Sequence, residues 1–221
     1  MKRVLLSWSS GKDSAWSLHV LRQSADVEVV GLLTTINHAA QRVAMHAVRR
    51  SLLERQADAA GLALTVLDLP WPCSNEQYEA ITTAACRNAI GCGVDTIAFG
   101  DLFLQDIREY REKQLRGTGL EPLFPLWQIP TGQLAREMME GGLRARLTCV
   151  DLKKLPVDFS GREWNAELLA DLPEGTDPCG ENGEFHTFCY AAPSFSKQIP
   201  VVKGDLVVRD GFAFADLTEA T

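Results

Sequence analysis

Apolar residues along this chain fall into short continuous runs separated by longer stretches with helical spacing, and that alternation predicts the architecture. Val4-Leu5-Leu6 starts a first strand, and after Ser14 the residues Ala15, Trp16, Leu18, Val20 and Leu21 recur along one helix face. Residues 27–35 (VEVVGLLTT) form a continuous Val/Leu run, which suits a parallel sheet covered on both faces. Helical spacing returns over 43–60 and stops at Gly61, in the manner of a C′ glycine. A third strand is expected over 62–69, closed by Pro70-Trp71-Pro72. Ser74 with Gln77 gives a capping-box start to a helix running to about Ile90, and Gly91 and Gly93 end it. Residues 94–99 (VDTIAF) form the fourth strand, which runs into Gly100-Asp101. Strands alternating with helices at this spacing predict an α/β fold with a doubly wound parallel sheet.

The rhythm then loosens. Residues 102–116 read as an amphipathic helix whose charges mostly form a solvated face, with i,i+4 pairs such as Glu109–Lys113 and Glu112–Arg116. Gly119 to Trp127 is an apolar segment broken by prolines, followed by a helix over 131–141 and a strand over 143–150. A short helix is expected within 161–172 and a loop rich in Gly, Pro and acids over 173–186. Strands at 201–208 and 212–217 flank the turn Arg209-Asp210-Gly211. The chain divides on this reading into a nucleotide-binding domain, 1–129, and a smaller C-terminal α+β portion, 130–221, that binds substrate.

Composition narrows the classes. A net charge of −7 argues against an extended nucleic-acid-binding surface. No apolar run approaches the roughly 18–20 residues of a membrane helix, and the first strand is too short for a signal-peptide core. A cytoplasmic location and no membrane partner are the expectations, and a homodimer stays open. The cysteines at 73, 86, 92, 149, 179 and 189 make no CxxC pair and no zinc-finger spacing. They are expected to be reduced, with Cys86 and Cys92 packed in the core.

The candidate chemistry begins where the first strand meets the first helix. Strand, tight loop and helix N-terminus in that order present backbone N–H groups and the positive end of the helix dipole to an anion. Ser9, Ser10 and Gly11 let a polyphosphate approach the backbone closely. Lys12, expected exposed, adds a cation; Asp13 belongs to the same loop; Ser14 can cap or donate. The alternative is an ordinary turn rich in Ser and Gly. A Walker A loop does not fit, because Leu6 stands five before Gly11 and Asp13 follows Lys12. Thr34 to His38 put polar groups at the C-terminal end of the second strand, the edge where open α/β sheets bind ligands. An adenine is therefore expected near Leu33, Thr34 and His46. Gly100-Asp101 sits on the same edge, where Asp101 either holds Mg²⁺ bridging phosphates or caps the following helix. Glu181, Glu184 and His186 place two carboxylates and an imidazole on a glycine-flexed loop, against the alternative of an acidic surface loop. Such groups can hold an amine and take a proton.

Residues 9–14 resemble the SGGKDS loop of the ATP-α-hydrolase families, which include argininosuccinate and asparagine synthetases, tRNA thiolation enzymes and diphthine–ammonia ligases. The resemblance sharpens with Gly100-Asp101 through Glu112, with Glu121-Pro-Leu-Phe-Pro-Leu-Trp127, and with the EGGEFHT-like stretch 181–187. Together these are similar to the ATP-binding family that contains diphthine–ammonia ligase. The resemblance implies an N-terminal sheet that binds ATP and a C-terminal portion that carries the acceptor. It implies a ligase that adenylates the diphthine carboxylate on elongation factor 2, or a related acid, and lets ammonia displace AMP. ATP and Mg²⁺ are the implied cofactors; ammonia and a carboxylate are the implied partners. Asp101, Glu181, Glu184 and His186 remain the expected catalytic residues from the reading above. Ser9 to Ser14, Leu33, Thr34, His46 and Gly100 remain those expected to hold the nucleotide. Two departures stand out: Ser10 replaces the second Gly of SGGKDS, and Asn182 the first Gly of EGGE. The competing readings are a tRNA-thiolation enzyme, which would need a sulfur-carrying Cys179 or Cys149, and an ATP-binding sensor without chemistry.

Overall fold

The computed structural model describes residues 1–43 and 46–220. Its first sheet contains β1 (Lys2–Ser7), β2 (Val27–Asn37), a short β3 (Arg42–Val43), β4 (Leu64–Leu69), β5 (Thr96–Ala98) and β6 (Glu121–Leu123). Between them run α1 (Lys12–Gln23), α2 (Arg50–Ala60), α3 (Asn75–Gly91) and α4 (Gln105–Leu115). The strands β4-β2-β1-β5-β6 are parallel in that order, and β3 pairs antiparallel with the far end of β2. The chain moves outward from β1 through β2 to β4, then returns to the other side of β1 for β5 and β6. The crevice outside the carboxyl ends of β1 and β5 is therefore a topological switch point, where such sheets bind ligands.

Alternation along β1 assigns the two faces. Val4, Leu6 and Trp8 enter a large core with Leu18, Leu32, Leu52 and Leu53. Leu5 faces a smaller cluster made by Ile97 and Phe99 with Ala89 of α3 and Leu115 of α4. The rest of the chain adds α5 (Thr131–Glu140), β7 (Arg144–Asp151), a 3-10 turn (Val157–Phe159), α6 (Ala166–Asp171), β8 (Phe185–Ala191), β9 (Val201–Arg209) and β10 (Phe212–Glu219). These strands form an antiparallel sheet in the order β8-β7-β10-β9. Asp210 and Gly211 both take positive φ, 54° and 82°, which matches the right-handed twist of the hairpin they close. Leu147, Val150, Trp164, Phe185 and Phe188 share the core of Val4 and Leu6, so the two sheets are packed together.

The expected elements are present, with corrections. Ser74 Oγ accepts from the Gln77 N–H and Gln77 Oε1 accepts from the Ser74 N–H, completing the capping box. Gly61 takes φ 65° at the end of α2. The helix read over 43–60 starts only at Arg50: Val43 belongs to a strand, and Ala44 and Met45 lie outside the described residues. The proline-broken segment supplies β6, because an edge strand tolerates Pro122. The loop 173–186 gives way to β8 at Phe185, a strand absent from the sequence reading. All six cysteines are free, and Cys92 is exposed instead of packed in the core. Among the described residues, no helix is long and apolar enough to cross a membrane.

Candidate functional site

The loop after β1 is held from three sides. Ser10 sits at its apex with φ 70° and is fully buried. Its carbonyl accepts the Cys189 N–H of β8 at 2.9 Å and the Gln56 side-chain amide of α2 at 2.9 Å. Gly11 is tightly enclosed: a Cβ there would lie 3.0 Å from His46 Cε1 and 3.3 Å from the Thr187 carbonyl, so its neighbours would have to shift. Lys12 opens α1, and its N–H donates to Thr187 Oγ1 at 3.1 Å. Gly100 also lacks a Cβ for a reason, since one would sit 3.2 Å from Ser14 N; its absence lets the end of β5 close on the start of α1.

Lys12 is not the exposed cation that the sequence suggests. It is 2% exposed, and its Nζ donates to Asp13 Oδ2 at 2.9 Å and to the Cys179 carbonyl, above the rings of Trp164 and Phe185. The loop 177–184 supplies the Cys179 carbonyl, and Trp164 and Phe185 flank the ammonium, contacts that no local pattern encodes. Burial opposes the charge of Lys12, but Asp13, Cys179 and Glu181 outweigh it and hold its pKa above 10.5.

Ser10 carries a cost in this arrangement. A left-handed non-glycine residue is strained by about 1–2 kcal/mol, and its buried Oγ has no hydrogen-bond partner. Ser10→Gly is therefore expected to raise the melting temperature by a few degrees, since backbone entropy offsets only part of the relief. Calorimetric unfolding checks this; a lower melting temperature would mean that the hydroxyl contributes to stability.

Ser9, Leu33, Thr34, His46 and His186 line one cavity of about 620 Å³, which continues between α3 and α4 past Tyr78, Thr82 and Arg111. Thr34 is buried and its Oγ1 has no partner. The Leu33 carbonyl accepts the Trp8 N–H at 2.7 Å, so that group already has one partner in the sheet. The His46 and His186 rings are 4.6 Å apart. His46 Nδ1 is 3.1 Å from the Thr187 carbonyl, which only accepts, so Nδ1 carries the proton and Nε2 is the free acceptor. Burial lowers the pKa of His46 to about 4 and, with His46 beside it, that of His186 to about 3. Both are neutral at pH 7, and His186 is a weaker proton acceptor than its sequence position suggests.

Asp101 does not cap α4, whose N-cap is Leu104. Its Oδ2 forms an ion pair with Arg111, at 3.6 Å from Nε and too long for a hydrogen bond, so both buried atoms lack a hydrogen-bond partner. Asp13 Oδ1 is unpartnered too. Among the described residues, no three His, Cys, Asp or Glu side chains are grouped to cage a metal. The unpartnered Asp13 Oδ1 and the ion-paired Asp101, beside the loop after β1, fit a Mg²⁺ that takes its other ligands from phosphate and water.

The three residues of the acidic loop have different surroundings. Glu181 Oε1 accepts the Leu102 N–H at 2.7 Å, pinning the loop to the residue after Asp101. Burial raises the Glu181 pKa to about 7 against the pull of that N–H, and Asp13 adds to the rise. Glu184 is buried, and its Oε1 accepts from the Asp177 N–H and from the Asn182 amide, both at 3.1 Å. It organises the loop from within. His186 faces His46 at the cavity described above. Asn182, one of the two departures, thus has a definite task. Sequence reasoning missed Thr187, although it lies in the 181–187 motif, and missed Gln56 and Arg111, which look like ordinary helix residues until the fold brings their partners together.

Comparison with known proteins gives the family. Residues 1–122 match the family model described as diphthamide synthase N-terminal domain, and residues 130–218 match its C-terminal domain. A diphthine–ammonia ligase of Danio rerio is 28% identical over 234 residues, covering 96% of this chain and 91% of that protein. Those of Homo sapiens and Mus musculus are 32% and 29% identical over 128 and 127 residues, each match covering 55% of this chain and 48% of the relative. The matched stretch thus spans about half the length of those two relatives and nearly all of the first. With both domain models matched in order, the chain belongs to the diphthamide synthase family.

Proposed function

We propose that this protein is an ATP-dependent ligase that adenylates a carboxylate and transfers the acyl group to ammonia, releasing AMP and pyrophosphate. The observation that carries the reading is the gathering of the Ser9–Ser14 loop, Gly100-Asp101 and Glu181 at one switch point, with Glu181 held near neutral pKa. Adenine sits in the cavity against Leu33 and Thr34, where the Thr34 hydroxyl and His46 Nε2 offer hydrogen bonds. The phosphates lie on the N-terminus of α1, over Ser9, Ser10 and Gly11. Lys12 ties this loop to the acidic loop and keeps a positive charge beneath it. Asp101 and Asp13 would hold Mg²⁺, which supplies charge neutralisation at the phosphates. Glu181 accepts hydrogen bonds from ammonium and takes its proton, because a base with a pKa near the working pH is the most effective. Glu184 and Asn182 keep the loop closed, which excludes water from the activated acid. Diphthine is the acid suggested by the names of the relatives.

A thiolation reading is weakened by the cysteines it would need. Burial pushes the Cys149 thiol up to about 12 and raises Cys179 as well, so neither is a thiolate at neutral pH. The test of the ligase reading is AMP formation from ATP across a panel of carboxylic acids that includes diphthine-bearing elongation factor 2, with and without ammonium. AMP and amide should appear together only when acid and ammonium are both present. ATP binding with no AMP from any acid would favour a sensor and sink the ligase.

A further inference from the structure

We propose that Gln56 is the positioning residue of the phosphate loop, and that its side-chain amide sets the direction in which the Gly11 N–H points. This rests on the ATP reading above. The inward face of α2 is otherwise apolar, built from Leu52, Leu53, Ala57, Ala59 and Ala60, yet Gln56 on that face is fully buried. A buried amide with an unmet donor or acceptor would cost about 1–3 kcal/mol, and here nothing is unmet. Gln56 Oε1 accepts the Trp8 indole N–H at 2.9 Å, while Nε2 donates to the Ser10 carbonyl at 2.9 Å and to the Cys189 carbonyl at 2.6 Å. The indole can only donate and the two carbonyls can only accept, so the partners fix which end of the amide is oxygen.

Those three partners are the residue leading into the loop, the apex of the loop, and the strand of the other sheet that packs on it. The Ser10 carbonyl receives two donors, Gln56 Nε2 and the Cys189 N–H, and is locked toward the interior. In a planar trans peptide the following N–H points the opposite way. The Gly11 N–H is thereby turned to the side of Ser9, whose Oγ it meets at 3.3 Å and which lines the nucleotide cavity. Without the Gln56 donor, the Ser10 carbonyl keeps only the Cys189 N–H, and the Ser10–Gly11 peptide is free to rotate so that the Gly11 N–H turns away from the phosphates.

The test compares MgATP with adenosine by calorimetry in the native protein and in Gln56→Met, which has similar volume and no hydrogen bonds. The ratio of the two affinities isolates what the phosphates contribute. Loss of one charge-assisted N–H contact predicts a fall in that ratio of roughly 10- to 100-fold, with adenosine binding unchanged. A structural role alone would weaken both ligands equally, and an unchanged ratio overturns the inference while the ATP reading stands. Native protein that binds no ATP overturns both. Should Gln56→Met not fold, Trp8→Phe frees the anchored oxygen, and the ratio measured within that variant should fall in the same direction by roughly 3- to 10-fold; no fall there overturns the inference.

Discussion

Replacing Lys12 with Ala should bring the protein to the edge of unfolding before any effect on ATP is measured. The Lys12 side chain is 3% exposed, and its ammonium compensates Asp13, whose side chain is 25% exposed, together with the Cys179 carbonyl. Removing one partner of a buried pair typically costs about 3–5 kcal/mol, and the lost methylenes leave a void under Trp164 and Phe185 as well. Against a usual total of about 5–15 kcal/mol, that is a large fraction. The Lys12 pKa is raised, so its contribution is fully present below the ordinary lysine value of about 10.4 and is lost only as pH rises through the higher folded value. The deficit of Lys12→Ala should therefore be complete at pH 7. Urea unfolding gives the direct measure. Adding Asp13→Asn to Lys12→Met should recover part of the loss, because it removes the charge left without a partner. A cost below about 1 kcal/mol for Lys12→Ala would show that the ammonium is effectively solvated and that the loop 177–184 does not depend on it.

Much of this arrangement was legible in order along the chain, because it depends on short-range physics. The runs that became β1, β2 and β4, the capping box at Ser74, and the Asp210-Gly211 turn each carry their signal within a few residues. What escaped depends on partners far away in sequence. β8 is buried on most of its length, so Phe185 to Ala191 lacks the polar alternation that marks a half-buried strand, and the glycine-rich loop before it drew the boundary too late. Lys12 reads as a loop cation until Cys179 and Phe185 cover it. Glu181, Glu184 and His186 read as one cluster because they are close in sequence. A turn at Gly183 and the start of β8 give them Leu102, Asp177 and His46 as separate partners.

Glu181→Gln should make the protein more stable and less active at once, a combination expected of a group retained for chemistry at a cost to the fold. Burial lifts the folded pKa of Glu181 to about 7 from 4.5, opposed by the Leu102 N–H and Lys12 and assisted by Asp13 and Asp101. A carboxyl with a raised folded pKa binds more protons in the native state than in the unfolded one. Its contribution to stability is therefore full below about pH 4.5 and is lost as pH rises toward 7. Glutamine cannot ionise, and its oxygen can still accept the Leu102 N–H, so the variant should be free of that loss. Above pH 7 the gain should be on the order of 2 kcal/mol, allowing for partial exposure, and should vanish near pH 4. Unfolding in EDTA without nucleotide isolates this term, since a bound cation would itself favour the carboxylate. Activity should move the other way. On the proposed mechanism, ATP binding and acyl-adenylate formation need only the loop and Asp101, whereas ammonia must lose a proton before it attacks. Single-turnover measurements should show adenylate accumulating while amide formation slows by roughly 10²–10⁴-fold. Equal loss of both steps would place Glu181 at the ATP or the acid. A variant no more stable at pH 8 than the native protein would mean that the carboxylate is comfortably ionised where it stands, and the proton-accepting role would lose its physical basis.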